Sequence, residues 1–491
     1  MENSKTSSYR GIFKATSLFG GLQVYQIVIG IIRSKLIAIL LGPEGMGISG
    51  LYQSGIDLVK ECTSLGLSRS AVRDVAEANG TGDISKINRT VTILRKLVWF
   101  TGFLGMFSVI LFSPILSRTS FGNYNYIIPF IALSVILLFN QISAGQTVVL
   151  QGLRKYKYLA KATAIGNTLG LVFTIPMYYF WSANGIVPAL IINAIITLVL
   201  SHYYSKKVKV ENVSITPKEV VKEGRGMMGL GVIMSINGML VLGCAYAIRA
   251  YISHKGGLDE VGLYNAGFAI VNTYVGMIFS AMTADYFPRL SAVNKDNEKC
   301  KELVNQQAEI AVLLLSPIVL VCITFTPVAL YILYSDKFLN ANGYVMWALF
   351  GMIIKAIAWC LSYIFVAKGE KMIFIKNEIV ANVSNLILCV VGYNFGGLSG
   401  LGIGYMLHFV IYIILVFLIA YRKYNYKFSQ SLIKISFIQI ALATLSIIIN
   451  LTLSSVPLYL LSIVLIIISV SYSYYELDKR MDITKYLKRK Q

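Results

Sequence analysis

Runs of about 20 apolar residues recur along the whole chain, each long enough to cross a hydrocarbon core of ~30 Å as a helix. Inside lipid such a helix satisfies its own backbone hydrogen bonds. The fold class this predicts is an all-α polytopic membrane protein. Composition agrees: of 491 residues, 56% are hydrophobic and only 14% charged, with a mean hydropathy of +0.67. A water-soluble domain carries roughly 25% charged residues, so the deficit marks lipid as the main solvent.

The runs divide into about fourteen spans by the ~20-residue criterion, at 14–41, 46–66, 93–116, 127–150, 159–180, 185–204, 227–251, 261–287, 308–334, 343–367, 373–394, 398–420, 432–451 and 455–475. The net charge is +21, yet the lysines and arginines lie in short patches between these runs. That distribution argues against nucleic acid as a partner. It is the pattern of cytoplasmic loops, where positive residues hold the topology. With the N-terminus inside, the inner segments are 67–92, 151–161, 205–226, 288–307, 368–376, 421–431 and the tail 476–491. They and the N-terminus hold most of the 44 Lys+Arg residues, whereas the outer loops hold only Arg118, Lys255 and Lys337. One missed or invented span would invert every later loop and destroy this asymmetry. An even number of spans with both termini cytoplasmic follows. The outer loops, at roughly ten residues or fewer, leave no room for a folded outer domain. The connection 205–226 lies near the middle of the first twelve spans. It suggests lobes of six helices at 1–213 and 214–421, then an extra pair and a tail at 422–491.

Cys62, Cys244, Cys300, Cys322, Cys360 and Cys389 show no CxxC pair and no metal-ligand spacing. Five fall in apolar runs, where a thiol acts as a small hydrophobe, so disulfides are not expected. The polar stretch Met1 to Arg10 leads into a run too long for a signal-peptide core, so the first helix reads as an uncleaved targeting signal.

Charged groups in spanning helices usually face a protein interior or a water-filled cavity. In span 1, Gln23, Gln26, Gly30 and Arg33 fall within about 80° of one another, which makes Arg33 a cavity candidate. Lys35 lies almost opposite, and its phase reads as snorkelling to the outer interface. In span 2, Gln53, Asp57, Lys60, Glu61 and Ser64 share a face about 100° wide. They form either a cavity wall or a self-satisfied cluster joining the first two helices, with Asp57 and Lys60 placed at i,i+3 to neutralise each other. Lys355 sits near the middle of span 10 on a stripe with Gly351, Trp359 and Ser362. At that depth it cannot easily snorkel, so a cavity or an anionic partner must accommodate it. Arg249, near the outer end of span 7, can equally snorkel or line the cavity. Asp285, Glu309 and Glu378 lie near inner helix ends, where pairing with basic loops is expected.

Span 8 carries a neutral polar face of Asn265, Asn272, Gly276 and Thr283, and span 4 adds Asn140, Gln141 and Gln146. Such amides bond between helices or, equally well, bind the uncharged hydroxyls of a sugar. His408, near mid-depth in span 12, is either an interhelical hydrogen-bond partner or a proton-coupling group. Arginine and lysine suit a phosphate or diphosphate, the amides suit a glycan, and a lipid tail can stay in the bilayer. That division of labour fits a lipid-diphosphate-linked oligosaccharide.

No GxxxxGK[ST] loop occurs, which argues against direct ATP hydrolysis. Gly45, Gly47 and Gly50 satisfy GxGxxG but follow a spanning helix rather than a strand, so tight helix packing explains them better than a dinucleotide. There is no GxSxG elbow, HExxH site or Cys/His cluster. No catalytic residue, metal site or cofactor is expected.

The stretch Lys35-Leu-Ile-Ala-Ile-Leu-Leu-Gly-Pro-Glu-Gly-Met-Gly resembles the first helix end of Wzx-type flippases, of the multidrug/oligosaccharidyl-lipid/polysaccharide (MOP) exporter superfamily. Val261-Gly262-Leu263-Tyr264, Pro288-Arg289-Leu290-Ser291, Ser335-Asp336-Lys337-Phe338, and Lys355 followed by Tyr363 and Val366-Ala367-Lys368 extend the likeness. It is strongest to the O-antigen and enterobacterial-common-antigen translocase branch. Lys35, Arg249 and Lys355 match basic positions of that branch, so for Lys35 the resemblance and the helical phase point in different directions. Asp57, Lys60 and Glu61 have no counterpart there, and the pair 432–475 departs from the twelve spans of many members.

The resemblance implies a V-shaped bundle of two six-helix lobes around a central cationic cavity. It also implies alternating-access transfer of undecaprenyl-diphosphate-linked repeat units from the cytoplasmic to the outer leaflet of the bacterial inner membrane. The implied partners are that lipid-linked substrate, the bilayer, and polysaccharide polymerase and chain-length machinery, with H+ or Na+ as an unassigned coupling ion. The alternatives are a multidrug or cation antiporter of the same superfamily, which would favour intramembrane carboxylates, and a membrane polymerase or glycosyltransferase. The short outer loops and the lack of a nucleotide-sugar motif speak against the last two.

Overall fold

The computed structural model describes residues 2–482, and among them the secondary structure is helical with no strand. The long helices are α1 (Glu2–Thr63), α2 (Leu67–Gly80), α3 (Ile84–Phe121), α4 (Ile127–Gly152), α5 (Tyr156–Trp181), α6 (Ile186–Lys206), α7 (Pro217–Phe268), α8 (Met277–Ala292), α9 (Asn297–Leu333), α10 (Asn342–Ala367), α11 (Lys371–Tyr424), α12 (Gln430–Thr452) and α13 (Ser455–Met481). Among the described residues, ten helical segments are long and apolar enough to cross a membrane, so the chain is a multi-pass membrane protein.

Four of those segments, of 44, 51, 58 and 54 residues, are about twice the ~20 residues that one crossing needs. Each is interrupted. In α1 the backbone turns at Gly42 (φ 69°, ψ −169°), where a positive φ favours a residue without a Cβ and Pro43 then restarts the helix. Gly257 (φ 84°) does the same in α7, and Gly396 and Gly397 do so in α11. Between α5 and α6 a 3₁₀ turn, Ser182–Gly185, makes the break. All four fall at the gaps expected from hydropathy.

The inner segments depart from the expectation of plain loops. Residues 67–80 form α2, because Leu67, Ala71, Val75 and Ala78 repeat at helical spacing and bury one face. Residues 207–216 form an extended strap laid along α3, whose side chains hold the strap backbone at successive turns. Asn88 Oδ1 accepts from the Glu211 amide at 3.2 Å, Thr92 Oγ1 accepts from the Val213 amide at 3.2 Å, and the Lys96 ammonium donates to the Ile215 carbonyl. Beneath it Val208, Val210, Val213 and Ile215 join the core formed by α2, α3 and α4.

The chain divides into two compact units, Met1–Gly262 and Leu263–Gln491. The boundary between these units lies inside α7, after its Gly257 turn. Within the first unit, α1 on either side of Gly42 packs against α3, α4 and α5. Backbones approach closely at two glycines: a Cβ on Gly47 would meet the Leu258 carbonyl oxygen at 2.0 Å, and one on Gly262 would meet that of Pro43 at 1.9 Å. The Gly-Pro-Glu-Gly-Met-Gly and Val-Gly-Leu-Tyr motifs therefore touch, and their glycines serve packing rather than a nucleotide.

Within the second unit α10 is central, its apolar stretch 72% buried, with α9 and α11 on either side. The added pair α12 and α13 packs on α9. At one end a charge cluster fastens it: Arg480 Nε donates to Glu309 Oε2 at 2.9 Å, Arg480 Nη1 to Glu476 Oε2 at 2.5 Å, and Arg480 Nη2 to Ser431 Oγ at 2.6 Å. Glu309 thus pairs with the tail, and Asp285 pairs with Arg289 at 3.1 Å. The cysteines form no disulfide.

Candidate functional site

Lys355 projects from the buried helix α10. Its ammonium lies 5.3 Å from the ring centroid of Phe279 on α8 and 5.4 Å from that of Phe409 on α11. Among the described residues it forms no ion pair and no hydrogen bond. Each aromatic face attracts a desolvated cation by roughly 2 kcal/mol, but neither supplies the anion or hydrogen-bond acceptors that a buried ammonium needs in place of water. The site is thus electrostatically incomplete and favours an anion.

The surrounding wall is aromatic and amide-rich. Trp359, one turn along α10, meets Phe279 edge-on at 5.3 Å, and Phe409 meets Tyr405 at 5.0 Å. The Tyr405 hydroxyl donates to Asn272 Oδ1 at 2.9 Å, whereas Asn272 Nδ2 is buried with no acceptor. A buried unsatisfied amide donor costs about 1–3 kcal/mol, and a ligand hydroxyl would relieve it. Gly351 lets α10 reach α11: a Cβ there would meet Met406 Cα at 3.0 Å.

Asn272 lies in a π-helical turn, Ala269–Val275, in which the Gly276 amide bonds to the Val271 carbonyl five residues back. Such turns are rare and concentrate at functional sites. The turn also corrects the sequence reading: Asn265, Asn272, Gly276 and Thr283 do not form one regular stripe, because a 100° step fails across the wider turn. His408 is buried, and its Nδ1 lies 2.9 Å from Ser384 Oγ within α11.

In the first unit the expected residues separate into three places. Arg33 Nη2 reaches Asn193 Oδ1 on α6 at 3.4 Å and lies against Gly170 on α5, while its Nε is buried without a partner. Asp57 accepts from its own-helix neighbour Gln53 at 3.0 Å. Lys60 makes no ion pair with it among the described residues, so the i,i+3 neutralisation is not formed. Glu61 instead pairs with Arg69 of α2 at 3.0 Å and packs against Gly238 of α7. Arg249 Nη1 donates to the Ala245 carbonyl one turn back, at 3.0 Å. Lys35, Gln26, Asn140 and Asn265 are partly buried, and Gln23 is exposed. Sequence reasoning missed Asn193, Ser384, Phe279, Tyr405 and Phe409. Of these Tyr405 carried a signal, three residues before His408 on the same helix face.

These features define the class: an all-helical, multi-pass membrane protein with cations and amides buried among its helices. Residues 36–342, more than half of the chain, match the family described as polysaccharide biosynthesis protein, and the chain belongs to that family. The lipid III flippase of Escherichia coli (strain K12) is 22% identical over 429 residues, covering 84% of this chain and 99% of the flippase. Among solved structures, an inward-facing multidrug-resistance MATE-family transporter of the MOP superfamily aligns with a TM-score of 0.69 at 16% identity, covering 82% of this chain and 94% of that one. The lipid II flippase MurJ, inward closed, aligns with a TM-score of 0.66 at 13% identity, covering 94% and 99%. These solved structures share the fold, and the resemblance read from short motifs is borne out by the family match and the lipid III flippase likeness.

Proposed function

We propose that the chain is a flippase that carries a lipid-linked oligosaccharide across the bacterial inner membrane, from the cytoplasmic to the outer leaflet. The observation that carries this reading is Lys355, a deep ammonium faced by aromatic rings and supplied with no counter-anion. A diphosphate headgroup would neutralise it, the rings would stack on sugar faces, and Asn272 Nδ2 would donate to a sugar hydroxyl. The lipid III flippase likeness supports the same substrate class. The finer reading is an undecaprenyl-diphosphate-linked repeat unit of O-antigen or a related surface polysaccharide, moved by alternating access. Arg33, Lys35, Asp57, Lys60, Glu61 and Arg249 are proposed as further contacts of the pathway, with both termini cytoplasmic. The glycine breaks support about fourteen crossings at ~20 residues each. By helix number these would form transport lobes at 1–213 and 214–421.

The MATE fold likeness favours a second reading, a cation antiporter. The basic character around Lys355 opposes it, because a cationic drug would be repelled there.

Deletion of the gene followed by lipid analysis tests the proposal. The expected result is accumulation of a glycan-bearing polyprenol, relieved by the wild-type gene and not by Lys355→Ala at equal membrane abundance. Accumulation of unglycosylated carrier alone would sink it.

A further inference from the structure

A second basic site lies within the first unit, away from the residues assigned above. A notch of about 560 Å3 opens between α3, α4, α6 and the strap 207–216. Its floor is apolar, from Val98, Ile142 and Val149, and its rim carries Arg95, Lys206 and Lys209 against the single carboxylate of Glu211. The Arg95 side chain and the backbone that bears Lys209 are held in place. Arg95 Nη1 donates to Asn212 Oδ1 at 2.6 Å, and the strap that bears Lys209 is itself bonded to α3 at three further points. Three permanent positive charges converging over a cavity suit a phosphate.

A soluble phosphate would explain the cations but not what adjoins them. Trp99 stands at the mouth of the notch, exposed and placed as tryptophans are at membrane–water interfaces. From it Phe103 and Phe107 follow at one-turn intervals along α3, with ring centroids 5.5 and 6.4 Å apart. All three rings are exposed. They make an aromatic rail about 12 Å long at 1.5 Å per residue, leading from the charged rim into the apolar length of the helix. A charged cradle joined to an apolar track matches a molecule with a phosphate at one end and acyl chains at the other.

We propose that this notch binds the phosphate of an anionic phospholipid from the leaflet that the basic loops face, with its chains laid on Trp99, Phe103 and Phe107. None of the residues proposed for the transport pathway lines this notch, and the inference does not rest on the flippase reading.

The test is titration of purified, delipidated full-length protein in detergent with phosphatidylglycerol, read by native mass spectrometry. One saturable lipid is expected. Its affinity should fall roughly tenfold to thirtyfold in Lys206→Gln/Lys209→Gln, with thermal midpoint unchanged. Lys371→Gln/Lys376→Gln, which removes the same charge in the second unit, should leave it intact. Phosphatidylcholine should bind at least about tenfold more weakly. Equal loss in the two variants, equal binding of both lipids, or no saturable lipid would overturn the proposal. Inorganic phosphate separates the two possible sources. If it binds alone and displaces the lipid, and Phe103→Ala/Phe107→Ala changes nothing, the notch is a site for free phosphate and the lipid assignment fails.

Discussion

Arg33 in the first unit and Lys355 in the second are both cations on apolar helices, yet their surroundings are opposite. Arg33 is wedged between two neighbouring helices with a protein amide at its tip and a glycine cleared for it. Lys355 is met by the faces of two rings and, among the described residues, forms no ion pair or hydrogen bond. The first arrangement gives the guanidinium one protein acceptor and leaves its Nε open; the second leaves the whole ammonium available. A buried cation therefore signals function only once its partners are known, and the number of partners separates the two cases better than depth does.

The comparison breaks most readily at Lys355. Lys355→Met should reduce glycan export about a hundredfold, as expected for a lost charge-assisted contact of roughly 3 kcal/mol. The thermal midpoint of the purified protein should stay level or rise, because a poorly compensated buried charge has been removed. A fall in midpoint that accounts for the lost export would show that Lys355 is structural. Gly170→Ala tests the other side: the new methyl would meet Asn193 Oδ1 at 2.2 Å and Arg33 Nη2 at 3.2 Å. Overpacking of this kind should cost about 1–3 kcal/mol, seen in thermal unfolding, with a smaller loss of export than Lys355→Met at equal folded protein. Tyr405→Phe is smaller. It leaves both polar ends of Asn272 unpaired, and export should drop severalfold, about 1 kcal/mol, at nearly constant membrane abundance.

The smallest effect is at the end of the first unit that carries α2 and the strap. Hydrogen bonds from Thr216 and Arg89 hold the Glu219 carboxyl down at about 2, below its ordinary 4.5, and Arg89 likewise lowers Glu223. A depressed carboxylate favours the folded state above its unfolded value and ceases to do so as pH falls through the folded one. The thermal midpoint of wild type should decline between pH 5 and pH 3 more steeply than that of Arg89→Gln.

The spans and their breaks were legible because each depends on residues close in sequence: apolar length sets the crossing, and Gly42, Gly257 and the Gly396-Gly397 pair mark where the chain can turn. Lys355 was legible for the same local reason, as a lone charge near the centre of an apolar run. What surrounds it was not. Asn193 and Phe279 reach their cations from helices distant in sequence, and no periodicity along one segment reports such a meeting. The strap was missed because its order comes from Asn88, Thr92 and Lys96 on another helix, while its own composition resembles any polar linker. The span-2 face misled in its pairing: Asp57 and Lys60 stand at i,i+3 yet form no ion pair among the described residues, whereas Glu61 bonds to Arg69 beyond the helix end.

The π turn at Ala269–Val275 sets the angular bearing of everything that follows it. One additional residue in a turn rotates the downstream helix by about 100° relative to an uninterrupted α-helix. Phe279 therefore comes to lie over the Lys355 ammonium through an offset stored four residues earlier. A single deletion inside that turn would leave composition and length nearly untouched while swinging Phe279 away and reorienting Asn272. In this region alignments that ignore one-residue gaps will pair the wrong side chains, and relatives that lack the extra residue should grip their cargo from a different quarter.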